Sequence, residues 1–278
     1  MSAETPGAGG FRALEHAGWQ GAAAAYADYW GALTAQAVAP LLDAVGAGPG
    51  VRLLDVATGP GYVAGAAAER GAEATGLDFS AAMVQQARQR YPNVEFREGD
   101  AVALPFAART FDAVTINFGL LHFAEPDRAL AEAYRVLRPG GRVAFAVWAT
   151  PESAVAFNLV LRAVEAHGNP QVLLPAGPPF FRFSDAGESK RVLESLGFVE
   201  PRVRQVPQVW RLPSPDALWD AMQHGTVRTA ALLRAQTPEA RVAIGDAVRE
   251  AAAAFTATGG GIELPMPAVL STAAKRRA

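Results

Sequence analysis

The chain has 278 residues, half of them hydrophobic and 19% charged, with a formal net charge of −2 and no cysteine. That length suits one large α/β domain or two small ones, and the charge balance leaves no basic footprint for nucleic acid. The lack of cysteine removes disulfides, thiolate metal sites and thiol nucleophiles, and it fits a cytoplasmic location. Residues 1–10 are small and glycine-rich and are expected to be disordered. They lack the basic start and apolar core of a secretory signal, and no apolar stretch is long enough to insert across a bilayer. From Phe11 to about Val45 the pattern is helical, with Leu14, Trp19, Tyr26, Trp30 and Leu33 set among alanines and a short helix from Pro40 closing at Gly46. Strands and helices then alternate. Strands are expected at 51–57, 73–77, 94–97, 111–117 and 142–148. Helices are expected at about 62–70, from an N-cap at Ser80 to Tyr91, and at 126–137. Such alternation predicts a parallel sheet with helices on both faces.

Beyond Trp148 the rhythm changes. A helix near 152–166 precedes an irregular stretch, 169–183, dense in proline and phenylalanine. Ser184 is expected to cap a helix ending at Gly197, and a strand over 198–212 is interrupted by Pro207. Two or three helices fill 214–256, opened by Ser214 with Pro215 and by Thr237 with Pro238. A last strand, 262–273, is broken by Pro265 and Pro267, which suggests a sheet edge or a strand start.

The stretch around which the rest is organised is Val51 to Gly65. A buried strand with one acid, Asp55, runs into a turn almost without side chains, Ala57, Thr58, Gly59, Pro60, Gly61, and then into an alanine-rich helix. Strand, glycine turn and helix N-terminus together bring backbone N–H groups close to a ligand. In an open parallel sheet, ligands bind beyond the carboxyl ends of the strands. The residues there are Ala57 to Gly61, Asp78, Asp100, and Asn117 to His122. Three polar side chains beside a glycine turn favour an extended, nucleoside-bearing ligand, with Asp78 placed to bind both ribose hydroxyls. The same turn also fits the fingerprint of a dinucleotide fold, so an NAD-linked oxidoreductase stays open on these residues alone.

Five segments occur in order: Leu53 to Gly61, Gly76 to Met83, Glu98 to Phe106, Phe111 to Val114, and Val136 to Arg142. With them the chain resembles the class I S-adenosylmethionine-dependent methyltransferases, in the group that includes the ubiquinone and menaquinone biosynthesis enzymes. Thr58 and Pro60 depart from the commoner residues of that loop, which works mainly through its backbone. The resemblance implies a Rossmann-like seven-stranded methyltransferase sheet whose last strand is antiparallel. It also implies N-terminal cover helices over 11–46, a cofactor core over 51–148, and lid elements over 150–184 and 214–256 within one domain, 11–278.

The resemblance also implies roles, with S-adenosylmethionine as cofactor. Gly59 and Gly61 let the loop pass under the methionine portion, with Ala57 and Thr58 alongside, and Asp55 holds the loop from below. Asp78 takes the ribose hydroxyls, and Phe79 and Met83 flank the adenine. Gly99, Asp100 and Ala101 meet its edge, while Asn117 and Phe118 lie near the sulfonium. Tyr26, on a cover helix, reaches the carboxylate. His122 is the best-placed base for an acceptor that holds its proton. Trp19, Trp30, Phe180, Phe181, Trp219 and His224 are candidates to meet a small, largely apolar or aromatic acceptor. No acid cluster suggests a metal. A protein that binds S-adenosylmethionine without transferring its methyl group would carry the same motifs.

Overall fold

A computed structural model describes residues 8–277. The expectation of disorder over 1–10 falls mainly on residues 1–7, outside the described residues; residues 8–10 already belong to the first helix, Ala8–Tyr29. In chain order the strands are β1 (Arg52–Val56), β2 (Glu73–Asp78), β3 (Glu95–Glu98), β4 (Phe111–Asn117), β5 (Leu137–Trp148), β6 (Phe198–Val206), β7 (Val209–Leu212), β8 (Ile262–Pro265) and β9 (Ala268–Lys275). The chain forms two compact units. One holds residues 34–148, 177–206 and those from Ala268 on; the other holds residues up to Leu33, 149–176 and 207–267.

The first unit is built on a seven-stranded sheet in the order β3-β2-β1-β4-β5-β9-β6. β1 to β5 pair in parallel, and β9 runs antiparallel between β5 and β6. Helices Val38–Val45, Tyr62–Glu69, Ala81–Arg90, Pro126–Val136 and Ala186–Ser195 accompany it. The chain moves outward from β1 through β2 to β3 and then restarts at β4 on the other side of β1. That reversal opens the crevice used by ligands in such sheets.

Three local features differ from the sequence expectations. β5 starts at Leu137 rather than at Arg142, because Leu137 already pairs with Phe111 before Pro139, Gly140 and Gly141 bulge out and pairing resumes at Arg142 with Ala113. Ser184 does not cap the helix that follows it. Asp185 does, accepting from Glu188 N–H at 2.6 Å, while the Ser184 hydroxyl donates to the Trp148 carbonyl at 2.7 Å. The stretch 198–212 divides at Pro207 into β6 and β7, which belong to different sheets, and 262–273 divides likewise into β8 and β9. β9 is an interior strand, so Pro265 and Pro267 precede it and leave its own N–H groups free to pair on both sides.

The second unit is helical: Ala8–Tyr29, Val155–His167, Pro215–His224, Arg228–Arg234 and Pro238–Ala253, with the β7–β8 ribbon. Trp30 stacks on Phe157 at 5.9 Å and lies 4.2 Å from Trp210. Both indole N–H groups are satisfied by backbone, Trp30 on Ala221 O and Trp210 on Tyr29 O. Ser214 and Thr237 cap their helices by accepting from Ala217 N–H and Ala240 N–H. Among the described residues, no helix is long and apolar enough to cross a membrane.

Candidate cofactor site

The site is best built from the end of β1. Asp55 is 1% exposed, and each of its oxygens accepts a hydroxyl: Oδ2 from Thr58 at 2.6 Å, Oδ1 from Thr115 on β4 at 2.9 Å. Burial, opposed by those hydrogen bonds, pushes its carboxyl up to about 7. Thr58 is the first polar residue of the turn. Its hydroxyl fits beside Gly76, where an added Cβ would come within 2.8 Å of it. Ala57 and Gly59 take left-handed backbone conformations (φ 55° and 52°), and Gly61, at φ 84°, opens the helix Tyr62–Glu69 with no side-chain cap. A Cβ on Gly61 would meet the Phe96 ring at 2.9 Å, and one on Gly65 would meet Tyr91 at 2.3 Å. These glycines therefore let the helix lie close against the sheet and the following helix.

Asp78, at the end of β2, holds the same turn from the other side. Its Oδ2 accepts from Gly59 N–H at 2.8 Å and its Oδ1 from Ser80 N–H at 2.9 Å. Burial pushes this carboxyl up to about 6, against the lowering effect of the Ser80, Gly59 and Phe79 N–H groups and of the nearby His122. A carboxylate has about four acceptor positions, so those bonds leave room for a further donor. Gly99 N–H donates to Asp78 O at 2.8 Å, which ties the next turn to this one, and Asp100 Oδ1 accepts from Val102 N–H at 3.0 Å. Ala101 is buried and Phe79 half-buried. Met83 is 3% exposed, packed into the protein itself.

At the end of β4, the Asn117 amide N–H donates to Thr34 O at 3.2 Å, while its Oδ1 is buried without a hydrogen-bond partner. Phe118 is left-handed (φ 54°) and stacks on Trp148 at 4.0 Å. Strained non-glycine residues thus close both β1 and β4, neighbours in the sheet. His122 ends the short turn Leu120–His122, half-buried, with its ring edge-to-face to Phe180 at 6.2 Å.

The sheet unit brings together Asp55, Ala57, Thr58, Gly59, Gly61, Asp78 and Asn117 around the ends of three adjacent strands. Tyr26, Trp19, Trp30, Trp219 and His224 belong to the helical unit. There Trp19 donates to Glu15 and meets Tyr26 edge-on at 5.4 Å, Trp219 lies under the Arg249 guanidinium, and His224 is exposed at a helix end.

Known proteins resemble this chain in both sequence and fold. A family profile described as a methyltransferase domain matches residues 54–145. The demethylmenaquinone methyltransferase of Corynebacterium kroppenstedtii is 32% identical over 161 residues, covering 55% of this chain and 69% of that protein. The chain belongs to the methyltransferase-domain family. The protein of the same name from Renibacterium salmoninarum is 44% identical over 133 residues, 46% of this chain and 56% of the relative. In most of these matches the chain spans about half the length of the curated relative. Among solved structures, phosphoethanolamine N-methyltransferase 2 of Haemonchus contortus, in complex with S-adenosyl-L-methionine, shares the fold with a TM-score of 0.56. It is 17% identical and covers 96% of this chain and 60% of that one.

Within this methyltransferase-family chain, sequence reasoning gave no individual role to four residues that shape the candidate site. Thr115 reads as an ordinary strand threonine, and only the β1–β4 pairing shows that its hydroxyl reaches Asp55. Gly76 and Gly119 read as small strand or turn residues. Yet a Cβ on Gly119 would sit 2.5 Å from that of Ala57, so its absence lets the ends of β1 and β4 touch. Trp148 marked only the end of β5. The donor and acceptor set fits an adenosine bearing a charged amino acid: Asp78 has acceptor capacity for hydroxyls, and the orphaned Asn117 Oδ1 suits a cationic N–H.

Proposed function

We propose that this chain transfers the methyl group of S-adenosylmethionine to a small, largely apolar or aromatic acceptor. One observation carries the reading: the turn after β1 is clamped between two buried carboxylates, Asp55 through Thr58 and Asp78 through Gly59 N–H. That clamp fixes the backbone of residues 57–61 under the position of the methionine portion and leaves Asp78 an acceptor for ribose. When bound, the cofactor supplies a methyl carbon already activated for displacement by positive sulfur. The protein then has to align an acceptor and exclude water. Gly59 and Gly61 hold the loop, Asn117 Oδ1 receives an N–H, Phe118 and Trp148 form an apolar floor, and His122 takes the acceptor's proton when one must leave. Relatives named demethylmenaquinone methyltransferase support a ring acceptor.

The test is S-adenosylhomocysteine release against a panel of naphthoquinols, phenols and amines, beside calorimetric titration with S-adenosylhomocysteine and NADH. Turnover with a ring acceptor and binding of S-adenosylhomocysteine support the reading. Binding of NADH alone overturns it.

A further inference from the structure

The turn Pro179–Arg182 in the sheet unit is closed by Arg182 N–H donating to Pro179 O at 3.1 Å, which puts Phe180 and Phe181 at its two corner positions. Their rings meet edge-to-face at 4.9 Å, and Phe180 is likewise edge-on to His122. Both are half-buried. Phe183, two residues on, is buried against Phe145. One phenylalanine of the three therefore anchors the segment in the core, and the other two are carried on the turn.

The fastening is unusually dense for a connector. Arg182 makes a fork to Asp127, Nη1 to Oδ1 at 2.7 Å and Nη2 to Oδ2 at 3.0 Å, while its Nε donates to Glu188 Oε1 at 2.8 Å. The guanidinium also lies over the Phe183 ring at 4.9 Å. Ser184 then ties the segment to the Trp148 carbonyl at the carboxyl end of β5, and the Trp148 ring stacks on Phe118. A single exposed ion pair stabilises little, but a planar fork with two acids fixes direction as well as distance. Held this way, Phe180 and Phe181 lose little further freedom when a ligand packs on them.

We propose that Arg182, fixed by Asp127 and Glu188, is a positioning residue that holds Phe180 and Phe181 as an aromatic wall beside His122, and that this wall selects a flat aromatic acceptor. The inference rests on the methyl-transfer reading above and names its specificity element. Both rings are half-exposed, and an aromatic surface of this kind packs well against a flat ring and poorly against a puckered one.

The test uses the full chain saturated with S-adenosylhomocysteine, so that no turnover is needed, and titrates 1-naphthol and its saturated counterpart decahydro-1-naphthol by calorimetry. Arg182→Met is expected to weaken 1-naphthol about tenfold, to bring the affinity ratio of the two alcohols toward one, and to leave S-adenosylhomocysteine affinity unchanged. Asp127→Asn should do the same more weakly, and the double variant should be no worse than Arg182→Met alone, because both act through one contact. Arg182→Lys should restore part of the ratio. An unchanged ratio in Arg182→Met, or independent addition of the two substitutions, overturns the proposal. Should Arg182→Met not fold, Phe180→Leu must lower the same ratio, and an unchanged ratio there overturns it equally. Binding of S-adenosylhomocysteine without 1-naphthol defeats this inference alone, whereas failure to bind S-adenosylhomocysteine defeats the methyl-transfer reading.

Discussion

The two units bury polar groups for different ends. In the sheet unit, Asp55, Thr58, Asp78, Ser80 and Thr115 are all buried, and they bond to one another or to the turns at the ends of β1 and β2. In the helical unit, Gln208 donates to Leu33 O and Gln236 to Asn169 O, and two indoles donate to backbone carbonyls in the same way. The first arrangement shapes loops at strand ends, and the second ties remote segments of chain together. A buried polar group therefore points to a site when it fixes a turn beyond a strand end, and to packing when it bridges elements.

The largest expected effect tests the packing side. Trp30 is 2% exposed among Phe157 and Trp210, so Trp30→Ala should lower stability by about 3–5 kcal/mol, read from urea unfolding. A loss under about 1 kcal/mol would mean that this ring is not core. Next comes the site side. Asp78→Ala removes a charged acceptor from Gly59 and Ser80 N–H and from the proposed ribose. S-adenosylhomocysteine affinity should fall by about 2–3 kcal/mol, roughly 30- to 150-fold. An unchanged dissociation constant would take Asp78 out of the site.

The sheet unit was the more legible of the two, because its strands and turns follow a repeating pattern. Arg52 to Asn117 gave strands and helices within a residue or two of the observed bounds, since apolar runs between glycine, proline and cap residues leave few alternatives. The acids expected at strand ends were legible for the same reason: Asp78 closes β2, and Asp100 comes two residues after β3. What stayed hidden needed partners far along the chain. Thr115 becomes part of the site only when β4 pairs with β1, and Trp148 only when it stacks on Phe118. In the helical unit the aromatic residues stood out against alanine, but nothing local to Trp30 or Trp219 separates a core ring from one that lines an opening.

The two buried acids differ from the helical unit's neutral amides in a way that pH can read. Both are raised from 3.8, Asp55 to about 7 and Asp78 to about 6, chiefly by burial. Over that interval the folded protein keeps protons that the unfolded chain has released. Their contribution to stability is therefore full below about pH 4 and is lost as pH rises through 6 and 7. The slope should reach up to about 1.4 kcal/mol per pH unit for each acid, followed by denaturant unfolding between pH 4 and 8. Asp55→Asn should remove about half of that slope between about pH 4 and 6, and all of it from about 6 to 7. An unchanged profile would mean that Asp55 titrates where an exposed aspartate does.

The smallest expected effects concern helix caps, where the units differ in how far sequence could decide. Ser214 and Thr237 each precede a proline at the first helical position, a pairing that allows one register, and both cap as expected. Before the helix Ala186–Ser195 two cap residues stand side by side, Ser184 and Asp185, and local sequence does not choose between them. The choice is made at a distance: the Trp148 carbonyl takes the Ser184 hydroxyl, and Asp185 is left to meet Glu188 N–H. Asp185→Ala should then cost about 1 kcal/mol, as Ser214→Ala should in the helical unit, while Asp185→Asn should cost almost nothing because asparagine caps equally well. Ser184→Ala should lower stability by about 0.5–1.5 kcal/mol through a lost tertiary bond instead. A double-mutant cycle of Ser184→Ala with Asp185→Ala separates the two: additive losses fit a cap and a tether acting independently, and strong coupling would return Ser184 to the helix end.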